Sequence, residues 1–104
     1  MTRISFPLFA GALAVAALGV SPAFAYSGAK YEAGATIKMT EATGIALKAR
    51  PGKVTDRELE HERGGSGLRY SFDIRGTDNV TYEIGVDAMT GAVLENDRES
   101  DHPD

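Results

Sequence analysis

Two stretches of alternating apolar and polar residues, joined by a short linker, place the strongest constraint on the fold. In residues 68–75 the apolar members of the alternation are Leu68, Tyr70, Phe72 and Ile74. In residues 80–87 they are Val80, Tyr82, Ile84 and Val86. A period of two predicts β-strands with one buried face and one solvated face. The linker, residues 76–79, reads Gly-Thr-Asp-Asn and consists of turn formers, so the two strands are predicted to form an antiparallel hairpin.

A helical pattern precedes these strands. Thr40 is predicted to cap its N-terminus, and Pro51 and Gly52 follow its end. The apolar positions recur at helical spacing: Ala42, Ile45, Ala46 and Ala49. Gly44 allows two interpretations, because a glycine weakens a helix by about 1 kcal/mol relative to alanine but also permits close packing on a sheet.

The charged segment between the helix and the hairpin, residues 53–63, is predicted to be a further strand. Val54 and Leu59 are its strong apolar residues, and they have opposite parity. Either a β-bulge lies between them, or the strand begins late, near Arg57. The glycine-rich residues 64–67 then form a loop that leads into the Leu68 strand.

The predicted fold class is therefore α+β: one N-terminal helix packed on a three- to four-stranded antiparallel β-meander, spanning residues 37–95. Asp87 and Gly91 bound a tight turn, and residues 92–95 form the short last strand. The predicted core is listed here in chain order: Ile37, Ala42, Ile45, Ala46, Ala49, Val54, Leu59, Leu68, Tyr70, Phe72, Ile74, Val80, Tyr82, Ile84, Val86, Val93 and Leu94.

The N-terminus has the pattern of a secretory signal peptide. Arg3 supplies a positive charge, residues 6–20 are apolar, and residues 23–25 read Ala-Phe-Ala. Cleavage is predicted between Ala25 and Tyr26, which would leave a periplasmic or secreted protein. The alternative is an N-terminal membrane anchor, but the apolar run is shorter than the roughly 20 residues of a spanning helix, so no stable anchor is expected. Residues 26–36 are predicted to be a flexible leader with exposed aromatic residues, and residues 96–104 a disordered acidic tail.

Charge and composition exclude several classes of function. After removal of Arg3, 10 basic residues stand against 15 acidic ones, so the processed chain carries a net charge of −5. This balance argues against a nucleic-acid partner, which requires clustered lysine and arginine. No catalytic residues, cofactor or dedicated metal site are expected, because the chain has no cysteine, no nucleophile motif and only one histidine in its acidic tail. Weak metal buffering through that tail is a secondary hypothesis.

The charged strand is the candidate surface for a protein partner. Its candidate residues are Arg57, Glu58, Glu60 and Glu62, with Arg69 and Arg75 across the hairpin on the predicted solvent face. An edge strand of this kind can accept an extended peptide by strand addition, or pair with a second copy to form a homodimer. The same charges can instead protect the edge from unwanted pairing. The sequence leaves these interpretations open.

The order of these segments resembles a PepSY domain, the small domain also found in peptidase propeptides. The resemblance covers residues 37–95 and rests on the helix opening Thr40-Glu41-Ala42, the helix end at Arg50-Pro51-Gly52 and the hairpin strands. Its most specific part is the turn Val86-Asp87-Ala88-Met89-Thr90-Gly91. The resemblance implies a non-catalytic module that binds or restrains another protein, and it does not identify the partner. The leading hypothesis is inhibition or regulation of an exported protease or another envelope protein. The alternative is a periplasmic accessory of a membrane signalling protein.

Overall fold

A computed structural model describes residues 26–99 and shows one main helix against a four-stranded antiparallel sheet. A short 3₁₀ helix, Ala29–Gly34, precedes α1 (Met39–Ala49). The strands follow as β1 (Gly52–His61), β2 (Leu68–Gly76), β3 (Thr81–Asp87) and β4 (Val93–Arg98), and their order in the sheet is β1-β2-β3-β4. The α+β class and the meander agree with the sequence prediction, with four strands in the sheet. None of the helices in residues 26–99 combines the length and apolar character needed to cross a membrane.

The central hairpin has the predicted pairing. Phe72 lies opposite Ile84, and Tyr70 opposite Val86, so the apolar members of the two strands share one face. The Gly76 N–H donates to the Val80 carbonyl at 2.8 Å and closes the predicted turn. Tyr70 and Ile84 are fully buried on this face.

A β-bulge in β1 resolves the parity conflict between Val54 and Leu59. Val54 pairs with Ile74 and Asp56 pairs with Asp73, so Thr55 is an extra residue on β1. The bulge shifts the alternation by one position and allows Leu59 to enter the core, where it is 2% exposed. The first of the two alternatives is therefore confirmed.

The core lies between α1 and the sheet. Most of the predicted core positions are buried or half-buried, but Val93 is 44% exposed and its assignment to the core was wrong. Val93 lies at the start of the edge strand β4, beside a second irregularity that leaves Leu94 as an extra residue. The core also contains buried residues that the prediction missed: Tyr26, Ala35, Met39 and Ala88.

The start of α1 differs from the prediction. Its N-cap is Lys38, not Thr40, and the Lys38 side chain makes no capping hydrogen bond. The Glu32 carboxylate supplies the acceptor instead, because its Oε2 lies 3.1 Å from the Met39 N–H. Gly44 faces solvent, and a Cβ added there would meet nothing within 4 Å, so this glycine does not bring the helix close to the sheet.

The two ends of the described chain are more structured than expected. Tyr26 is 8% exposed, so the expectation of exposed aromatic residues was wrong there, although Tyr31 is 38% exposed. At the other end β4 extends to Arg98, three residues beyond the predicted strand end at Glu95. The predicted signal peptide (1–25) and the last part of the predicted tail (100–104) lie outside the described residues.

Candidate functional site

The sheet face opposite α1, called the open face below, carries most of the predicted surface residues. Strand alternation places Glu58 opposite Ser71 and Glu60 opposite Arg69 on this face. On the far side of β2, Ser71 pairs with Gly85, which in turn pairs with Glu95 of β4. The open face thus brings acidic side chains from both edge strands towards one arginine on β2.

Arg69 lies across the centre of this face. Its Nη1 lies 3.4 Å from Glu95 Oε1 and 3.9 Å from Glu62 Oε2. Its Nη2 donates to the Arg63 carbonyl at 3.1 Å, so the guanidinium contacts the loop after β1 as well as β4. The residue is 7% exposed, which shows that the prediction of a solvated Arg69 was wrong.

Gly85 explains how a long side chain can lie flat on the sheet. A Cβ at this position would come within 3.1 Å of Arg69 Nη1 and 3.3 Å of its Cδ. Any larger residue would therefore push the guanidinium away from Glu95. Because Gly85 has no side chain, the Arg69 side chain of β2 can cross β3 and contact Glu95 on β4.

Glu58 and Glu60 of β1, together with Glu62 just after its end, form a crowded row beside Arg69. Glu60 accepts a hydrogen bond from the Ser71 hydroxyl at 2.7 Å. The pKa of Glu58 is raised, first by burial and then by the charges of Glu60 and Asp56. The pKa of Glu62 is raised first by its hydrogen bond to Glu60 and then by burial, although Arg69 opposes this effect. Burial, a hydrogen bond between carboxyl groups and repulsion between like charges thus all act against ionisation in this row.

Two of the predicted surface residues lie away from this row. Arg57 pairs with Phe72 and therefore points to the face that α1 covers, where it lies near Tyr26. Arg75 is six residues from Arg69 along β2, about 20 Å at the rise of a strand, and donates to Asn79 Oδ1 at 3.2 Å. It lies opposite Lys53 and Thr81, not opposite a glutamate. The candidate surface is accordingly smaller than the sequence suggested.

Three residues of the open face were not among the candidate surface residues taken from the sequence. Ser71 and Asp73 share the parity of Arg69, and the alternation places them on the same polar side of β2. Glu95 could not be placed in this way, because the extra residue Leu94 sets the register of β4. The missed acid is the one that contacts Arg69 most closely.

Asp87 joins the end of β3 to the loop between β1 and β2. Its Oδ2 accepts the Ser66 N–H at 2.6 Å, and its Oδ1 accepts those of Met89 at 2.8 Å and Thr90 at 3.1 Å. Burial opposes ionisation, but these hydrogen bonds outweigh it and lower the pKa of Asp87 to about 2. The side chain is 1% exposed, so it orders the backbone and is not available to a ligand.

The open face offers negative charge at fixed positions, which suits a basic ligand. Within residues 26–99 no group of three or more potential ligands has a geometry that could hold a metal ion. Arg69 and Ser71 are buried on this face, whereas Glu58 and Glu60 are half-buried.

Comparison with known proteins supports the family suggested by the sequence. The family model for PepSY, described as "Peptidase propeptide and YPEB domain", matches residues 36–97, which include α1 and nearly all of the four-stranded sheet. Comparisons with curated proteins and with solved structures found no match. Since the family model matches more than half of the chain, this protein belongs to the PepSY family.

Proposed function

We propose that this protein is an exported, non-catalytic binding module that regulates an extracytoplasmic protein, with a protease as the leading candidate partner. The PepSY family provides the class, because its members are generally propeptide-like regulatory or binding modules. Their typical location is extracellular or periplasmic. The signal-peptide pattern of residues 1–25 supports the same location.

The observation that carries the proposal is the row of glutamates on the open face. Glu58 and Glu60 lie on a strand whose register is set by pairing with β2, so their charges have defined positions. The pKa of Glu58 is raised first by burial and that of Glu62 first by its hydrogen bond to Glu60, and repulsion from neighbouring carboxylates adds to both shifts. A partner that presents lysine or arginine would relieve this repulsion, and such complementarity determines which partner binds.

A protease partner fits a module of this kind. A propeptide-like domain can act by covering a surface of the enzyme, and rigid strands suit this role because little ordering entropy is lost on binding. The acidic row would then contact a basic surface of the enzyme. No residue of the module needs to take part in chemistry.

The experiment is an inhibition assay with matched charge reversals. Purified protein is added to a panel of secreted thermolysin-like metallopeptidases, and residual peptidase activity is measured at low and at physiological salt. The Glu58→Lys variant is expected to weaken inhibition by about tenfold to a hundredfold, as expected for about 1.4–2.8 kcal/mol lost at a charged interface. Glu41→Lys makes the same charge change on the exposed side of α1 and should inhibit like the wild type.

The possible outcomes test the identity of the partner and the binding surface separately. Absence of inhibition across the panel would exclude this protease class, and affinity capture with the same two variants would then identify the envelope protein that is bound. If wild type captures a membrane sensor and Glu58→Lys does not, the partner is a signalling protein and not a protease. Equal inhibition by Glu58→Lys and wild type would contradict the assignment of the open face.

A further inference from the structure

The segment before α1 lies along the outer edge of β1. This segment, residues 26–34, is called the strap below. Ser27 forms an isolated parallel bridge with Glu58, and the Leu59 N–H donates to the Ser27 carbonyl at 2.9 Å. The strap therefore occupies the same sheet edge at which an extended peptide could add as a strand.

The strap is held by few contacts. Tyr26 is buried at one end, and its hydroxyl donates to the Glu32 carboxylate. The 3₁₀ helix that makes up most of the strap contains no buried residue. The Tyr31 ring meets the His61 ring edge-on, with centroids 4.7 Å apart, on the solvent side. Glu32 also accepts the Met39 N–H, so displacement of the whole strap would remove the cap of α1. With one buried side chain and one bridge to the sheet, the strap still costs less to displace than a full strand.

A groove between the strap and β1 shows what chemistry this edge accepts. The strap contributes Lys30 and Tyr31 to its lining, and β1 contributes Glu58 and Glu60. Lys30 thus brings a positive charge to an edge at which β1 is acidic, and its Nζ lies 5.3 Å from the centre of the Tyr31 ring. The strap as a whole has no net charge, because Glu32 offsets Lys30, but the part of it that lines the groove presents a lysine and a tyrosine to the acidic strand.

Gly28 is the residue that allows the strap to approach the edge. It has a φ of 85°, a region that L side chains rarely adopt. A Cβ on Gly28 would lie 1.8 Å from the Leu59 carbonyl oxygen, far inside contact distance. Substitution of Gly28 should therefore remove the strap from β1 without altering any residue of the sheet.

We propose that the β1 edge is a binding site for an extended segment of a partner protein that carries a lysine or arginine and an aromatic residue, and that the strap occupies this site until the segment displaces it. The inference rests on the proposed function, because it names the edge by which the module would hold its partner. A second copy is a poorer occupant, since β1 paired with another β1 would bring Glu58 and Glu60 near their counterparts and increase the repulsion.

The test uses a synthetic peptide with the strap sequence, residues 26–34, and the exported protein. A fluorescent label on the peptide reports binding by anisotropy. Gly28→Ala should bind the peptide at least about tenfold more tightly than wild type, because a strap bound nine-tenths of the time lowers the apparent affinity by that factor. Gly34→Ala is the matched control, since a Cβ there meets nothing within 4 Å, and it should bind like wild type. A peptide with glutamate in place of the lysine should bind more weakly.

Hydrogen exchange at the Leu59 amide shows whether the strap has left. Faster exchange in Gly28→Ala together with peptide binding supports the proposal. Faster exchange without peptide binding, or with dimerisation in place of peptide binding, overturns it. Unchanged exchange overturns it too, because Gly28 would then not hold the strap against Leu59.

If Gly28→Ala does not fold, titration of wild type with excess peptide decides the question. Chemical-shift changes at Leu59 and His61 support displacement of the strap, and their absence at saturating peptide concentration overturns the site. The assay contains no partner protein. A negative result would therefore reject the β1 edge as a peptide-binding site, whereas the proposed function would still be tested separately by the inhibition assay.

Discussion

Replacing Asp87 with asparagine should remove a large share of the stability of this small domain. The aspartate is almost fully buried and accepts three backbone hydrogen bonds, those of Ser66, Met89 and Thr90. Asparagine has only one side-chain oxygen, so its NH₂ group must face either Ser66 or the pair of residues on the turn. At least one buried N–H then loses its acceptor.

The magnitude follows from the pKa of Asp87. That pKa falls from 3.8 to about 2 on folding, and each unit corresponds to about 1.4 kcal/mol, so the ionised carboxylate contributes about 2 kcal/mol at neutral pH. A buried N–H without its charged acceptor costs a similar amount, about 1–3 kcal/mol. Both arguments describe the same interaction and are not added. We expect Asp87→Asn to lower the free energy of unfolding by about 2–3 kcal/mol at pH 7.

The pH dependence has a definite sign. Because the folded-state pKa is depressed, the contribution of Asp87 is complete above the unfolded-state value of 3.8 and is lost as the pH falls through about 2. The difference between wild type and Asp87→Asn should therefore be constant from pH 7 to about pH 4 and should shrink between about pH 4 and pH 2.

Urea denaturation followed by circular dichroism at a series of pH values measures this difference. Asp56→Asn serves as the control, because it removes the same charge from an exposed position on β1 and should change stability by less than about 0.5 kcal/mol. The reasoning would be refuted by a loss at pH 7 no larger than that of the control. A loss that is as large at pH 2 as at pH 7 would refute the role of the ionised carboxylate.

Three further predictions concern the open face and the glycines. Since burial, and then the charges of Glu60 and Asp56, raise the pKa of Glu58, its ionisation should lower stability as the pH rises above about 4.5, and Glu58→Gln should flatten that part of the stability curve measured by urea denaturation. Gly44→Ala on the exposed side of α1 should stabilise the protein by about 0.5–1 kcal/mol in thermal unfolding, whereas Gly91→Ala, at a φ of 82°, should destabilise it. Gly85→Val should lower the free energy of unfolding by about 1–3 kcal/mol, because the valine side chain would displace Arg69. This loss is expected despite the higher strand propensity of valine. Unchanged or higher stability would contradict the packing of Arg69 on Gly85.

The strands could be predicted from the sequence because alternation is a local property. Each apolar residue of 70–74 has a polar neighbour on either side, so the buried face can be predicted without knowledge of the partner strand. The bulge at Thr55 was one of two solutions to a local parity conflict. Choosing between them requires the pairing of Val54 with Ile74, which is a long-range contact.

The contacts that the sequence did not reveal depend on several elements at once. Burial of Arg69 requires a glycine on β3 and an acid on β4, and the latter is in place only after an extra residue shifts the register. Capping of α1 by Glu32 requires the 3₁₀ helix to return the chain to the helix start. Neither interaction has a periodic signature, and local propensity favoured the wrong cap residue.

Arg69 also connects the stability of the open face with its proposed use. Its guanidinium neutralises part of the acidic row and holds Glu95 in position, so the remaining negative charge is presented on a rigid surface. Glu58 and Glu60 on β1 and Glu62 just after it repel each other, so this row opposes the stability of the domain. Local repulsion of this kind is expected where a surface is shaped for a ligand, because the ligand provides the missing charge. Glu58 and Glu60 line both the open face and the groove beneath the strap, so a basic segment bound at the β1 edge would meet this charge directly.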